Sequence, residues 1–457
     1  MTDRIMIAGT GSGSGKTTVT IAILAALKAL NKNPVAFKCG PDYIDPMYLS
    51  KASGKRSYNL DSFLMGEPGV KYSLQHNSAS HGIAVIEGVM GLYDGEGTTS
   101  KASSNHLSLI TDTPVLLVIN PKGSALSICA TIQGFLEFEK NNICGVIFNN
   151  VSAASFGFYK QMVEESLKIR VFGYLPAVPD VQLKSRHLGL LTVAEVADIE
   201  AKIELLKTKA MECIDIEAII ATAQTAQTIE CDLSFLPPAN PDPQPKIYIT
   251  DDEAFCFCYA DNHEILRAAG AEIAFFSPLH DNRLPEDADG VVFWGGYPEL
   301  FAAQLAANES MRASLNEAIK QGMPTYAESG GFIYLQESLT DSENQTYPML
   351  GLLPGNSTMT DRLQDFGYHT LTALHDTLIC PSGAKANAHF FHYMSSDAPG
   401  ETFMATKRNG KSMRCIVSRT NILAGYQHLH FVGAPSFAGS LVTACSEYRK
   451  ARNAKNH

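Results

Sequence analysis

No stretch of the chain holds the roughly 18 consecutive apolar residues that a membrane-spanning helix requires, which rules out a helical span. No C-x-x-C pair or His/Cys quartet is present, which argues against a structural zinc site. Basic charge is also short: 36 Lys and Arg stand against 47 Asp and Glu, for a formal net charge of −11. A surface that tracks the phosphates of nucleic acid or of an anionic membrane is basic overall, so neither partner is expected. A local basic pocket for a small acidic molecule remains open. Internal repeats and low-complexity tracts are missing as well.

Ten cysteines are scattered along the chain, and only Cys256 and Cys258 lie close together. Alternation in AFCFCY places both on one face of a strand, as buried thiols of a reducing compartment. The apolar run Ile5–Ala8 begins so near Met1 that no targeting peptide is expected before it, and a cytoplasmic location is the expectation.

What is there is a chain of 457 residues, 45% hydrophobic and 18% charged, the composition of a globular protein with large cores. That length predicts two domains. In the first half, apolar strands at Arg4–Ala8, Val35–Phe37, Ile83–Glu87, Val115–Ile119, Gly145–Phe148 and Val171–Tyr174 alternate with amphipathic stretches such as Thr18–Leu30 and Ala125–Phe138. That is the grammar of an α/β fold with a doubly wound parallel sheet. The segment CDLSFLPPANPDPQPK that follows carries five prolines and reads as a linker. The expected division is 1–230, a linker at 231–245, and a second α/β domain at 246–457. The second domain starts on a strand at Lys246–Thr250, with helices near 261–269 and 309–321 and strands near 272–276 and Gly290–Trp294.

The strongest local signal is GTGSGSGKTT, Gly9 to Thr18, placed between a strand and a helix. Backbone N–H groups of Gly11, Ser12, Gly13, Ser14 and Gly15, with the helix N-terminus, suit the cradling of phosphates. Lys16 would reach the β- and γ-phosphates, Thr17 would ligate Mg²⁺, and Thr18 completes the motif. The spacing departs from the common P-loop, because position 10 is Thr10 and the first glycine comes one residue early. Two strands then run into acids. Val35–Phe37 leads to Lys38, Asp42, Tyr43 and Asp45, and Ile83–Ile86 leads to Glu87 and Asp94. Ligands of open parallel sheets collect at the carboxyl ends of strands, so these groups are expected to converge on the phosphates. A single carboxylate ending an apolar strand is the usual means of holding Mg²⁺ there. Glu87 could instead stabilise a turn, and Asp45 and Asp94 could simply cap theirs.

The early-glycine loop resembles the dethiobiotin synthetase branch of P-loop enzymes. The longer strings FKCGPDYIDPMYL, YNLDSF, VIEGVMGLYDG, KSRHLGLL, DEAFCFCYADN, WGGYPELF and GYQHLHF resemble, in order and over nearly the whole chain, the cobyrinic acid a,c-diamide synthase family. The resemblance implies an ATP- and Mg²⁺-dependent ligase that phosphorylates the a and c acetate groups of a tetrapyrrole and lets ammonia displace the phosphate. It implies nucleotide and metal roles for Lys16, Thr17, Lys38, Asp42 and Glu87. Asp42, Tyr43 and Asp94 fall in motifs of the acyl-phosphate step and the tetrapyrrole edge. Arg186 and His187 would suit a polycarboxylate substrate, although Arg186 could equally make a structural ion pair. Nickel sirohydrochlorin or sirohaem are alternative macrocycles, a non-catalytic ATP switch or scaffold is an alternative of another class, and a homodimer is left open.

By the same resemblance, the second domain is a class I glutaminase, in which a nucleophile on an elbow, an activating histidine and backbone N–H groups release ammonia from glutamine. MPTYAESGGFIYL, residues 323–335, reads as strand, tight turn and helix, the geometry of such an elbow. The family's cysteine is here Ser329. Gly296 and Gly330 would supply the oxyanion hole, and His428 is the activating histidine. Alternation along a strand puts His430 on the same face as His428, in the place of the acid of related triads, as a structural or a functional residue. A hydroxyl is much harder to deprotonate than a thiol of pKa about 8.5, and with His430 at the acid's place no relay is evident. Glutaminase activity is therefore expected to be very low or absent, with ammonia used directly. Other departures accompany Ser329. Phe390 stands where the family has Glu, Trp294 replaces the first glycine of a Gly-Gly-Gly run, and Gln427 replaces an apolar residue. Ser329 could be a deliberate replacement of the cysteine or the mark of a natural lapse, and several changes together favour natural drift across the domain.

Overall fold

In the computed structural model, residues 3–181, 185–186, 189–190, 192–231, 233–237 and 242–455 are described. They form two compact units, Met1–Ser62 with Gly66–Asp232, and Phe63–Met65 with Leu233–His457.

The first unit is built on a seven-stranded sheet of order β3-β2-β4-β1-β5-β6-β7. In chain order these are β1 Asp3–Gly9, β2 Pro34–Cys39, β3 Tyr58–Leu60, β4 Ile83–Glu87, β5 Val115–Ile119, β6 Ile143–Asn149 and β7 Arg170–Leu175. Every pairing is parallel. Consecutive residues of β2, β4 and β5 are buried without alternation, because both faces of the sheet are covered. The apolar runs IAVI and VLLVI are what such strands need. The register sets Glu87, the last residue of β4, between Ile7 of β1 and Lys38 of β2. That places the charged ends of two strands side by side at the mouth of the sheet.

The second unit contains a six-stranded sheet with the order Glu272–Phe276, Lys246–Thr250, Gly290–Phe293, Thr325–Glu328, Ile422–Gly425, Val417–Ser418. Its first five strands run parallel and the last antiparallel. Thr325–Glu328 is an interior strand, so Ser329 is lifted from the middle of the sheet. A five-stranded antiparallel sheet built around Asp365–Ala373 and Lys385–His392 lies in the same unit, and of its strands only the one carrying His428 was expected.

Two local expectations fail. AFCFCY is not a strand: only Phe257 bridges, to Gly295. The Asp252 side chain accepts from the backbone N–H of Ala254 and Phe255 at 3.0 and 3.2 Å, a turn that competes with extended pairing. Cys256 and Cys258 are accordingly half-buried, whereas Cys39, Cys129, Cys380, Cys415 and Cys445 are buried. The strand carrying His428 also stops at Leu429, so strict alternation does not reach His430. Asn262 ends the ladder, donating to Leu429 O at 2.9 Å and accepting from Phe431 N at 2.7 Å.

Three histidines of this unit, His389 and His430 buried and His392 half-buried, are expected to lower its stability in acid. Burial pushes His389 to about 3, His392 to about 4 and His430 to about 3. Their folded values lie below the unfolded value of about 6.5, so the unfolded chain takes up protons first as the pH falls. The stabilisation is complete above pH ~6.5 and is lost progressively below it. The unfolding free energy of the unit, from urea titration, is expected to fall between pH 7.5 and pH 5 by on the order of 1–2 kcal/mol per histidine. Replacing His430 by Phe should flatten part of that slope.

Candidate functional site

The loop from Gly9 to Gly15 folds back over its own start. A Cβ on Gly9 would lie 2.2 Å from Ser14 Oγ, which explains the early glycine: the return of the loop occupies the place of a side chain. Gly15 caps helix α1 (Lys16–Ala29) with φ 95° and no side-chain cap bond, so the N–H groups of its first turn are directed into the loop. A Cβ on Gly15 would meet Asn149 Nδ2 at 1.8 Å, and that amide donates to Ser14 O at 3.0 Å. Gly11 and Gly13 have open space where a Cβ would stand, and Ser12 is exposed. Lys16 Nζ donates to Gly11 O at 3.0 Å. Its pKa is pushed down to about 8 by burial and by the nearby Lys38 charge. Thr18 follows in the first turn of α1.

Beside this loop lies a buried ionic cluster. Thr17 Oγ1 donates to Glu87 Oε1 at 2.5 Å and lies 3.5 Å from Asp45 Oδ2. Lys38 Nζ reaches Asp45 at 2.7 Å, Glu87 at 3.0 Å and Gly88 O at 3.1 Å. Burial alone would lower the Lys38 pKa, but Asp45 and Glu87 more than reverse that and hold the ammonium charged. Burial holds Glu87 above the usual carboxylate range, with Lys38 opposing. Glu87 Oε2 is buried with no hydrogen-bond partner, as is Ser14 Oγ.

The site therefore contains unsatisfied oxygens next to a phosphate-type cradle, and it fits a nucleotide with its divalent cation. Among the described residues no group of three or more His, Cys, Asp or Glu could hold a metal alone.

The structure divides the expected acids by role. Asp42 Oδ1 accepts from the N–H of Ile44 and Asp45 at 2.9 and 3.0 Å. Asp42 thus shapes the turn, and it is the Asp45 carboxylate that the turn delivers to Thr17. Burial and the Asp45 charge raise the pKa of Asp42. Asp94 Oδ2 accepts from Gly91 N at 2.8 Å and closes its own turn. Tyr43 is buried beside the Asp42 turn. Arg186 lies in a two-residue strand, and His187 lies outside the described residues.

In the second unit, Ser329 has φ 46° and ψ −107°, a conformation that costs a non-glycine residue roughly 1–3 kcal/mol and is kept where the surroundings enforce it. Its N–H donates to Gly425 O at 2.7 Å, and its carbonyl accepts from Ile333 N at 3.0 Å. The expected elbow is therefore present in the backbone. A Cβ on Gly330 would lie 3.0 Å from Gly296 N, so the two glycines expected at the oxyanion hole are adjacent. A Cβ on Gly295 would strike His428 Cε1 at 2.6 Å, so that glycine leaves room for the imidazole. Trp294 is accommodated by a bond from its Nε1 to His263 Nε2 at 3.1 Å.

His430 stacks on Tyr259 with ring centroids 4.7 Å apart and lies 3.8 Å from Asp261, packed against the 259–261 segment. The carboxylate near His428 is instead Glu328, at 3.5 Å from Nδ1. Sequence reasoning missed it, although it stands in the elbow string one residue before Ser329.

Residues 5–191 match the family described as the CobQ/CobB/MinD/ParA nucleotide binding domain, and residues 246–435 match the CobB/CobQ-like glutamine amidotransferase domain. The chain is 39% identical over 446 residues to a cobyrinate a,c-diamide synthase of Clostridium acetobutylicum, covering 96% of this chain and 99% of that protein. It is 38% identical to the protein of the same name from Clostridium tetani, again covering 96% and 99%.

The Gly15–Asn149 contact yields a sharp test. Gly15→Ala should weaken nucleotide binding at least about tenfold, because both the left-handed conformation and the Asn149 amide exclude a side chain. Fluorescent-nucleotide titration measures this, and unchanged affinity would contradict the assignment of the loop.

Proposed function

The chain belongs to the cobyrinate a,c-diamide synthase family, and on that premise we propose that it amidates the a and c acetate side chains of a tetrapyrrole such as cobyrinic acid at the expense of ATP. The observation that carries this reading is the cluster of Thr17, Lys38, Asp45 and Glu87 beside the Gly9–Thr18 loop. A phosphoryl group in transfer needs charge held in fixed positions more than covalent help. Buried Lys38 and Lys16 supply positive charge, and the first-turn N–H groups of α1 further donors.

Bound ATP with Mg²⁺ supplies the phosphoryl group and neutralises its charge, with Thr17, Glu87 and Asp45 as the residues to hold the cation. Asp42 and Tyr43, on the turn that delivers Asp45, are the residues assigned to the reacting carboxyl edge. Asp94 holds the second acidic turn. Arg186 and His187 are assigned to the substrate's carboxylates. The activated acyl phosphate is then attacked by ammonia, and phosphate departs.

The nitrogen source follows from Ser329. Ser329 holds a strained backbone at the end of an interior strand, and we assign the oxyanion donors to Gly296 and Gly330, which lie side by side. A hydroxyl is far costlier to ionise than a thiol beside a histidine. We assign direct use of ammonia, with glutamine used poorly.

Amidation should be followed by mass spectrometry, which reads a loss of about 1 Da per carboxyl converted, with ammonium or glutamine as donor. The native chain is expected to work with ammonium and at least about a hundredfold more slowly with glutamine, in the range by which a lost nucleophile lowers turnover. Ser329→Cys should restore glutamine use and leave the ammonium rate unchanged. No tetrapyrrole-dependent ATP hydrolysis with any tetrapyrrole acid and ammonium would sink the proposal. Parallel incubations with cobyrinic acid, nickel sirohydrochlorin and sirohaem identify the macrocycle.

A further inference from the structure

The acid that related triads carry two residues after the histidine is replaced here by His430, which is packed against Tyr259 and Asp261. We propose that Glu328, the residue immediately before Ser329, takes over that function as the positioning acid of His428. The inference rests on reading the second unit as a glutaminase. It adds to that reading a residue which makes the site complete apart from its nucleophile.

The geometry is that of a carboxylate fixed by two bonds so that its free oxygen serves a third group. Glu328 Oε1 accepts from Tyr326 Oη at 2.5 Å and from Leu429 N at 2.9 Å. Leu429 directly follows His428, so the carboxylate grips the backbone next to the imidazole it faces. Oε2 then lies 3.5 Å from His428 Nδ1. Glu328 and His428 are 1% and 2% exposed, so their charges are little screened by water. The ring is bounded on another side by Gly295, where any side chain would strike Cε1.

The other titratable groups of the neighbourhood leave this role open. His389 is the cross-strand partner of His428, and burial keeps it neutral, with a pKa near about 3. On the same antiparallel sheet, His369 is paired with Asp365 at 3.0 Å. His392 stacks on Tyr426 and its Nδ1 contacts Met394 O at 2.7 Å.

Glu328 Oε2 is within ion-pair distance of Nδ1, and a proton held on Nδ1 by that charge would leave the Nε2 lone pair as the base. When the Ser329 O–H bond breaks and Oγ bonds to an amide carbon, the proton passes to Nε2. The resulting imidazolium is stabilised by the buried carboxylate. The same proton then leaves with the departing ammonia as the C–N bond breaks. The same relay would serve a thiol at position 329, where the pair at rest becomes thiolate and imidazolium.

The test is a histidine-resolved NMR titration of the full chain, with Glu328→Gln, Glu328→Asp and Tyr326→Phe, and with the signal of His428 identified by its loss in His428→Gln. Glu328→Gln should lower the midpoint of His428 by at least about one unit, a tenfold loss of proton affinity. Glu328→Asp, which keeps the charge but shortens its reach, should give a smaller shift. Tyr326→Phe removes a structural bond and leaves the charge, so it should move the midpoint by no more than a few tenths.

In the Ser329→Cys background, Glu328→Gln should also slow iodoacetamide alkylation of the introduced thiol at pH 7 about tenfold. An unmoved midpoint in Glu328→Gln, or an equal shift in Tyr326→Phe, overturns the proposal. Should Glu328→Gln not fold, an unshifted Glu328→Asp overturns it. Missing ammonium-dependent ATP hydrolysis in the native chain would count against the amidation reading and not against Glu328, whose titration is read without turnover.

Discussion

A lysine ammonium buried at the carboxyl end of a parallel sheet is the constraint on which the first unit depends. Lys38, next to the end of β2, has almost no exposure, and a lone charge there would be prohibitively unfavourable. Its two carboxylate partners must therefore stand where they do. The parallel register brings Glu87 beside it, and the Asp42 turn swings Asp45 onto it. Stability alone does not call for such a cluster, since well-packed apolar groups of similar volume often do as well. What the cluster provides is fixed charge of both signs next to a loop whose N–H groups are turned inward, with Glu87 Oε2 still lacking a partner. Those features suit the nucleotide that the family of residues 5–191 binds.

The second unit shows how far the backbone of a site can persist while one of its atoms changes. The strained Ser329, the adjacent Gly296 and Gly330 and the clearance over Gly295 are all backbone features. They follow from an interior strand ending in a turn that only small neighbours permit. None depends on whether position 329 carries oxygen or sulfur. The chemistry does depend on it, because the proton on a hydroxyl is bound far more tightly than that on a thiol. Departures around the elbow are likewise absorbed locally: Trp294 finds a hydrogen bond in His263, and Phe390 is buried in its sheet.

Much of this was legible in the chain itself. Ile83–Glu87, Val115–Ile119, Lys246–Thr250 and the helix from Glu309 fall as expected, because uninterrupted apolar runs bounded by glycine or acid have few other ways to fold. The early glycine of the P-loop was visible as a departure, but its reason, the return of Ser14 over Gly9, was not. AFCFCY was misread because alternation in six residues says nothing of a competing carboxylate at Asp252. The antiparallel sheet around Asp365–Ala373 escaped because its strands are only partly buried and lack the continuous apolar runs of the parallel strands.

The sequence by itself determined the class of each domain, the cradle, the strand-end acids and the elbow, because these are short-range patterns of apolar periodicity, glycine and charge. Only the tertiary structure decided which acid does what. Asp45 and not Asp42 reaches Thr17, and Glu328 and not residue 430 faces His428. Such assignments turn on distances of a few ångströms between residues far apart in the chain. Register and turn geometry fix those distances, and spacing in sequence does not.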